Sequence, residues 1–565
     1  MSDTKTSIAP LKQKIDGEGL FRRGVLVFLT LYLILVLALP LAMMVFKSVQ
    51  DHDGNVIGLQ NYIEYFSTPS LFQSIFNSIY ISSITTTITV VLAFIFAYGL
   101  HRSCIPFKGV FRALAMTPLL VPSLLSGISL IYLFGRQGVL TPLLFGNSIY
   151  GPIGIIVASV FFTFPYAFII LSTALSLADQ RLYETAISLR ASRWKIFWTV
   201  TLPGARYGLI SAIFVVFIAT FTDFGVPKTI GGNFNVLPVD IYKQVIGQQN
   251  FEMGAVVSTL LLLPAVLAFL VDQMARKNQV ANLSANSVPY EPRKNRRFDA
   301  AMLIYCSLIS SFVILIIITS QLAALIKFWP YNLSLSLDNY DFDRFAGGGW
   351  QSFKNSLQLA VYTSVIGTGF IFIGAYIVEK TKDAKLLREM FQFLAMLPMA
   401  IPGMVLGLSY IFFFNHPANP MSFLYGTMAI LVISTLTHYY TVAHLTMTTA
   451  IKQLDPEFES VSMSLGQPSH KVVRLVTLPI CLPTILDVFF YIFVRAMTTV
   501  SVVVFLYSSD TSLASIAMLN MGDLGDNAPA AAMGMMIFYV NVAARLFNGV
   551  ISSSLRKRTQ AWRTR

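Results

Sequence analysis

The sequence predicts an all-α polytopic membrane protein, with twelve transmembrane helices arranged as two parallel six-helix repeats. Hydrophobic residues make up 55% of the 565-residue chain and charged residues 12%, about half the charged share of an ordinary soluble protein (~25%). Apolar runs such as Gly24–Phe46 carry no charge and are longer than the roughly 20 residues that a helix needs to cross a bilayer. Polar and Pro/Gly landmarks also recur in one order about 276 residues apart.

The apolar runs divide equally between the two halves of the chain. They lie at 25–46, 74–100, 111–134, 151–177, 205–227 and 254–275, and then at 300–326, 355–378, 389–414, 422–450, 481–507 and 529–550. The predicted organisation is an N-terminal tail (1–24), a first six-helix domain (25–275), a basic linker (276–299), a second six-helix domain (300–550) and a C-terminal tail (551–565).

The distribution of basic residues predicts that both termini and the linker lie in the cytoplasm. With the N-terminus inside, the outer loops hold only a small part of the 40 lysines and arginines, namely Lys47, Arg136, Lys228, Lys243, Lys327, Arg344 and Lys354. Cytoplasmic segments of membrane proteins carry an excess of Lys and Arg. The net charge of +13 therefore follows from topology, and no nucleic-acid partner is expected.

Matching landmarks indicate that the two repeats share one orientation. The recurring pairs are Asn61/Asn339, Asn77/Asn355, Ser78/Ser356, Pro118/Pro398, Pro122/Pro402 and Gly127/Gly407. Because each half contains an even number of spans, both copies enter the membrane from the same side, as in a parallel repeat. The paired prolines predict bends in the third and ninth spans.

A short polar helix interrupts the apolar pattern at the same place in each half. The two copies are Asp179–Pro203 and Asp455–Pro479, and both end in Thr-Leu-Pro. In the first copy Leu182, Ala186 and Leu189 form an amphipathic face that suits the groove of a partner protein. The chain has no GxxxxGK[ST], HExxH or CxxC motif, so we expect neither a catalytic centre nor a metal site. If such a membrane protein transports a solute actively, the energy must come from an ion gradient or from a partner.

The first copy resembles the EAA loop of binding-protein-dependent ABC importer permeases, whose pattern is Glu-Ala-Ala, three residues, Gly, and later Leu-Pro. The residues at matching positions are Glu184, Ala186, Leu189, Arg190, Leu202 and Pro203 in the first copy, and Ser460, Leu465, Gly466, Leu478 and Pro479 in the second. Arg190 replaces the family Gly, whereas the second copy keeps Gly466 but has Ser460-Val461-Ser462 in place of Glu-Ala-Ala. The resemblance implies two coupling helices that grip an ATPase unequally.

The resemblance also implies a permease subunit of the bacterial inner membrane that performs no catalysis and binds no cofactor. Its expected partners are a cytoplasmic ABC ATPase dimer that uses the ATP, a periplasmic substrate-binding protein, a small-molecule substrate and the lipid bilayer. The fused halves resemble the ferric-iron and 2-aminoethylphosphonate branch, and 222–258 and 495–523 look most similar to 2-aminoethylphosphonate permeases. We therefore expect 2-aminoethylphosphonate or a related organophosphonate as substrate, with ferric iron as the alternative and a gradient-driven secondary transporter as a second alternative.

Polar residues in the spans that follow the two polar helices are candidates for the substrate path. They are Asp223, Arg495, Thr498, Thr499 and Ser501, with Asp223 and Thr499 at equivalent positions. A guanidinium and hydroxyls suit a phosphonate oxyanion, and Asp223 suits an ammonium group. An interhelix salt bridge or a helix-end position would explain the same residues without a substrate.

Overall fold

The computed structural model describes residues 17–281, 288, 290–381, 384–455, 457–464 and 467–559. The α-helices of the first half are α1 (Gly17–Leu33), α2 (Leu39–Lys47), α3 (Gln60–Ser67), α4 (Pro69–Arg102), α5 (Lys108–Met116), α6 (Ser123–Phe134), α7 (Pro152–Ser176), α8 (Gln180–Ser188), α9 (Arg193–Ile196), α10 (Leu202–Phe221), α11 (Gly225–Ile230), α12 (Leu237–Tyr242) and α13 (Phe251–Ala281).

The second half follows the same general order, with a single first helix, no α-helix equivalent to α3 or α11, and a small added hairpin. Its elements are α14 (Arg296–Leu325), β1 (Ile326–Phe328), β2 (Asn332–Leu335), α15 (Gly349–Lys380), α16 (Lys385–Met396), α17 (Gly403–Phe414), α18 (Met428–Lys452), α19 (Glu457–Ser464), α20 (Ser469–Val472), α21 (Leu478–Thr498), α22 (Ala514–Asp523) and α23 (Asn527–Thr559). Strands β1 and β2 are antiparallel, with Ile326 opposite Leu335 and Phe328 opposite Asn332. Single π-helical turns join α1 to α2, α9 to α10 and α20 to α21.

The described residues contain 10 helices long and apolar enough to span a membrane, and 12 spans if each of two bent pairs counts as one. The bent pairs are α5 with α6 and α16 with α17, which turn by 102° and 115°. The bends expected in the spans at 111–134 and 389–414 are therefore confirmed. Proline lacks an amide hydrogen and disfavours a helical residue before it. Val121 and Ile401, which precede Pro122 and Pro402, are accordingly extended.

The repeated asparagines make the same hydrogen bonds in both halves. Asn61 and Asn339 are buried, and each donates from its side-chain amide to two backbone carbonyls at the end of the first span of its half. The acceptors are Ser48 and Gln50, at 3.1 and 2.7 Å, and Ala324 and Ile326, at 3.1 and 2.9 Å. The sequence repeat is therefore also a structural repeat.

The serines of the two Asn-Ser pairs, near the start of the second span of each half, accept equivalent hydrogen bonds. Ser78 on α4 accepts a hydrogen bond from the Leu237 amide at 2.9 Å, and Ser356 on α15 accepts one from the Ala514 amide at 2.8 Å. These bonds attach the start of α12 and of α22 to the long helix of the same half. Backbone amides that would otherwise be unpaired inside the membrane are satisfied in this way.

The first helices of the two halves are exchanged. Helices α1 and α2 pack against α15, α16 and α17, and α14 packs against α4, α5 and α6. Cys306 of α14 is buried in the core of the first half, and a Cβ built on Gly99 of α4 would lie 3.3 Å from its Sγ. A glycine at this position permits the close approach of α14. Each half therefore completes its core with a helix from the other.

Candidate functional site

The first polar segment forms a capped helix followed by a tight turn. Asp179 caps α8 by accepting a hydrogen bond from the Arg181 amide at 3.0 Å. At the other end Arg190 has a φ of 53°, while the Ala191 amide bonds to the Ala186 carbonyl and the Arg190 amide to that of Ile187. This is a Schellman motif, whose left-handed residue is usually glycine. The tight turn is thus present with Arg190 in place of the family Gly.

Tyr183 connects α8 to the membrane helices. Its buried phenol lies 3.0 Å from the Thr201 hydroxyl and accepts a hydrogen bond from the Arg102 guanidinium at 3.1 Å. Arg102, at the end of α4, also donates to the Leu175 carbonyl at 3.1 Å. The polar helix is therefore fixed to the ends of α4, α7 and the segment entering α10.

The opposite side of α8 is apolar and faces outward. Leu182 is 58% exposed, Leu189 is 77% exposed and Trp194 on α9 is 70% exposed. Glu184 is exposed too, and its side chain accepts a hydrogen bond from Gln180 at 3.0 Å. The other first-copy positions are Ala186 and Leu202, which are half-buried, and Pro203, which is exposed in the first turn of α10. Such an apolar patch with charges around it is typical of a protein-binding surface.

The second polar segment has the same order of elements, α19 and α20 leading into α21. Ser460 lies in α19, whereas Leu465 and Gly466 lie outside the described residues. Leu478 is exposed and Pro479 half-buried in the first turn of α21. Phe458 and Val461 on α19 are exposed and supply an apolar surface here as well.

Arg495 lies where the two halves meet, surrounded by three tyrosines. Its Cζ atom is 5.3 Å from the ring centre of Tyr166, 5.7 Å from that of Tyr491 and 6.0 Å from that of Tyr439. Tyr166 belongs to α7 of the first half, and the other two to α21 and α18 of the second. The Thr499 side chain adjoins the Tyr439 phenol. We call Arg495 and these three tyrosines the arginine cage.

The other residues predicted for the path serve the backbone around them. Asp223 accepts a hydrogen bond from the Val226 amide at 3.0 Å, as a helix-end residue does. Thr498 donates to the Val494 carbonyl of its own helix at 3.0 Å. Ser501 packs against Gly403, where a Cβ would lie 2.2 Å from its Oγ. Among the described residues no carboxylate forms an ion pair with Arg495, so an interhelix salt bridge does not account for this residue.

None of the three tyrosines was among the residues predicted for the substrate path. Tyr491 is four residues before Arg495 and so shares its helix face, a signal that was available. Tyr166 and Tyr439 come from distant parts of the chain, and only the packing of α7 and α18 brings them to Arg495.

Asp487, a candidate for ion coupling in a secondary transporter, joins two helices. It accepts a hydrogen bond from the Asn548 amide at 3.0 Å, linking α21 to α23. At the equivalent place in the first half, Ser211 on α10 donates to Asp272 on α13. The contact between these two helices is thus polar in both repeats. The carboxylate lies on α13 in the first half and on α21 in the second, which are not equivalent helices. This pattern indicates a structural contact.

The sequence matches one protein family twice, once in each half. The family is described as the binding-protein-dependent transport system inner membrane component, and the matches cover 89–278 and 371–557. The chain belongs to this family. It is therefore a multi-pass ABC importer permease made of two fused copies. Such permeases are non-catalytic, and the ATPase is on a separate chain.

Several relatives of this permease are named as ferric transport proteins. A ferric transport system permease protein FbpB from Actinobacillus pleuropneumoniae is 29% identical over 80% of this chain and 67% of its own length. An Fe(3+)-transport system permease protein FbpB 2 from Haemophilus influenzae is 25% identical over 94% of this chain and 98% of its own. An alginate ABC transporter structure covers 48% of this chain with a TM-score of 0.39 and 14% identity, too low to support an argument. The relatives favour the ferric alternative over the expected phosphonate substrate.

Proposed function

We propose that this permease forms the translocation path of an ATP-driven importer for ferric iron. The observation that supports coupling to an ATPase is the pair of polar segments at matched positions, each with exposed apolar residues and each joined directly to a long membrane helix. The names of the relatives support the substrate. Phenol and hydroxyl oxygens, which are hard ligands suited to ferric iron, are also present at the junction of the halves.

In this proposal the two polar segments are coupling helices. The first contributes Glu184, Ala186, Leu189, Arg190, Leu202 and Pro203, and the second contributes Ser460, Leu465, Gly466, Leu478 and Pro479. Because Tyr183 fixes α8 to α4 and α10, a force on α8 would move these helices as one body. Closure of an ATPase dimer would draw the segments together and rock the two halves, a rigid-body motion of packed domains.

The remaining predictions complete the arrangement. The permease lies in the bacterial inner membrane with both termini and the linker 276–299 in the cytoplasm, and a periplasmic binding protein delivers the substrate. The repeats occupy 25–275 and 300–550, between the tails 1–24 and 551–565. No cofactor is bound by this chain, because ATP is used by the partner ATPase. The substrate passes between the halves near Arg495, Thr498, Thr499, Ser501 and Asp223.

Uptake by a strain that lacks this gene tests the substrate. We expect the deletion to abolish accumulation of ⁵⁵Fe supplied as ferric citrate, and the plasmid-borne gene to restore it. Uptake of labelled 2-aminoethylphosphonate should be the same in both strains. Normal iron uptake together with lost phosphonate uptake would contradict the ferric assignment and favour the organophosphonate.

A matched pair of charge reversals tests the coupling helix. Glu184→Arg places a cation on the exposed face of α8 and should reduce iron uptake at least tenfold, with normal amounts of protein in the membrane. Glu64→Arg makes the same change on an exposed residue of α3, on the predicted outer side, and should leave uptake unchanged. Equal uptake by both variants would show that α8 is not the ATPase contact.

A further inference from the structure

The arginine cage places a permanent positive charge between the two halves. Arginine is protonated at every physiological pH, and among the described residues no carboxylate pairs with Arg495. Arg495 is half-buried, as are Tyr166, Tyr439 and Tyr491. A charged side chain within a membrane faces an internal cavity or a partner rather than lipid, because exposure to hydrocarbon is costly.

The cage is present only once, although the fold is repeated. The positions equivalent to Arg495 and Tyr491 in the first half are Ala219 and Val215. Thr163 in the first half is equivalent to Tyr439, and Val442 in the second half is equivalent to Tyr166. Each position lies in the same helix of its repeat. The helix arrangement that the two repeats share therefore does not require these residue types at these positions, which favours a role other than building the scaffold.

The chemistry of the cage suits an oxyanion. A guanidinium offers several N–H donors that match the geometry of carboxylate and phosphate, and each phenol adds an O–H donor. A bare ferric ion would be repelled by the Arg495 charge. An oxyanion bound to that ion would bring the negative charge that the cage accepts.

We infer that Arg495, Tyr166, Tyr439 and Tyr491 form an oxyanion subsite on the translocation path, and that ferric iron crosses with an oxyanion ligand rather than as a bare cation. The inference rests on the proposed ferric function and adds the chemical form of the substrate. Since three of the residues belong to the second half and Tyr166 to the first, rocking of the halves would open or close the subsite.

Binding to the full permease with its ATPase in nanodiscs tests the subsite without any need for transport. The probes are citrate, ferric citrate and 2-aminoethylphosphonate, followed by titration calorimetry. We expect ferric citrate and citrate to bind to the wild type. Arg495→Gln should weaken both at least tenfold, and Arg495→Lys, which keeps the charge but loses the planar donor geometry, should weaken them less.

Two further variants separate binding from structure. Tyr439→Phe keeps the ring against Arg495 but removes the phenol, and should weaken ferric citrate binding severalfold without changing the melting temperature. Arg206→Gln removes the guanidinium of another arginine–tyrosine pair, 4.5 Å from the Tyr207 ring centre at the exposed end of α10, and should leave binding unchanged.

The outcomes distinguish the two proposals. If Arg495→Gln binds every probe as the wild type does, or if the wild type binds none, the oxyanion subsite is refuted. If only 2-aminoethylphosphonate binds and Arg495→Gln abolishes that binding, the subsite stands and the ferric function is refuted. If strains carrying Arg495→Gln take up ⁵⁵Fe at the wild-type rate, iron crosses without the cage and the inference is wrong.

Discussion

Single side chains hold the two repeats to a common geometry, and the buried asparagines show this most directly. Asn61 and Asn339 each satisfy two backbone carbonyls where a span ends. A buried carbonyl that loses its donor costs about 1–3 kcal/mol. The recurrence of these asparagines was visible in the sequence. The carbonyl groups that accept their hydrogen bonds could not be predicted from the sequence, because every residue has a backbone carbonyl whatever its type.

We predict that Asn61→Ala and Asn339→Ala lower the free energy of unfolding by similar amounts, about 1–3 kcal/mol each. Asn147→Ala removes one hydrogen bond from an exposed loop, to the Leu144 carbonyl at 3.1 Å, and should cost less than about 0.5 kcal/mol. Thermal unfolding in detergent, followed by tryptophan fluorescence, compares the three variants. A large effect at one asparagine and none at the other would contradict the equivalence of the repeats.

At Arg190 the backbone is left-handed, although the residue type does not predict that conformation. The family Gly is absent, yet the left-handed turn forms, at a cost of about 1 kcal/mol for a residue with a side chain. We predict that Arg190→Gly keeps normal iron uptake, because glycine adopts this conformation without strain. Arg190→Val should reduce uptake, because a β-branched residue is strongly disfavoured there. Both variants remove the charge, so equal uptake would mean that the turn does not matter.

At the scale of elements, the described part of the linker packs along α8, the first of the two proposed coupling helices. The Gln180 amide donates to the Val288 carbonyl at 2.9 Å, and the Tyr290 ring lies 4.6 Å from that of Tyr183. Arg102 stacks on Tyr290 with its Cζ 4.2 Å from the ring centre. Burial raises the pKa of Tyr290, and the Arg102 charge opposes that rise. These contacts attach the linker to α8 and to the end of α4.

We predict that Tyr290→Ala loosens this contact and exposes the linker to trypsin at Arg293 and Lys294. A cation–π contact contributes about 1 kcal/mol, so cleavage should become roughly fivefold faster. Tyr207→Ala removes a ring from the exposed Arg206 pair and serves as the matched control. Identical cleavage rates for Tyr290→Ala and the wild type would show that the contact does not hold the linker.

The sequence predicted the elements better than their arrangement. The number of spans, the bends at Pro122 and Pro402 and the polar segments follow from local composition. The 102° and 115° turns do not, because a proline marks a break without setting its angle. Of the arginine cage, only Arg495 was predicted from the sequence, as a polar group at membrane depth. Tyr166 and Tyr439 come from two other helices, and only the tertiary structure brings them to Arg495.

At the scale of the whole molecule, the exchange of first helices makes the two halves interdependent. Helix α14 fills the core of the first half and α1 that of the second. Neither sequence repeat has a complete core of its own, so the boundaries of the repeats differ from those of the packed units. Hydrophobic pattern cannot reveal this, because an apolar helix is equally suited to a neighbour from either half.

We predict that the halves remain associated when the linker is cut. Trypsin cleavage at Arg293 and Lys294 in mild detergent should give two fragments that elute together in size-exclusion chromatography. Gly99→Leu, which would force α14 away from α4, should weaken that association. Gly109→Leu is the control, because a Cβ there meets nothing within 4 Å. Separate elution of the wild-type fragments would contradict the interlocked arrangement.

The central claim is that ATP hydrolysis on a separate chain drives ferric iron through this permease by way of its coupling helices. The most direct measurement is accumulation of ⁵⁵Fe in proteoliposomes that contain the permease, its ATPase and its binding protein. We predict uptake that requires ATP, is insensitive to proton and sodium ionophores, and is lost in Glu184→Arg. Uptake without ATP that collapses with an ionophore would instead identify a gradient-driven transporter and refute the claim.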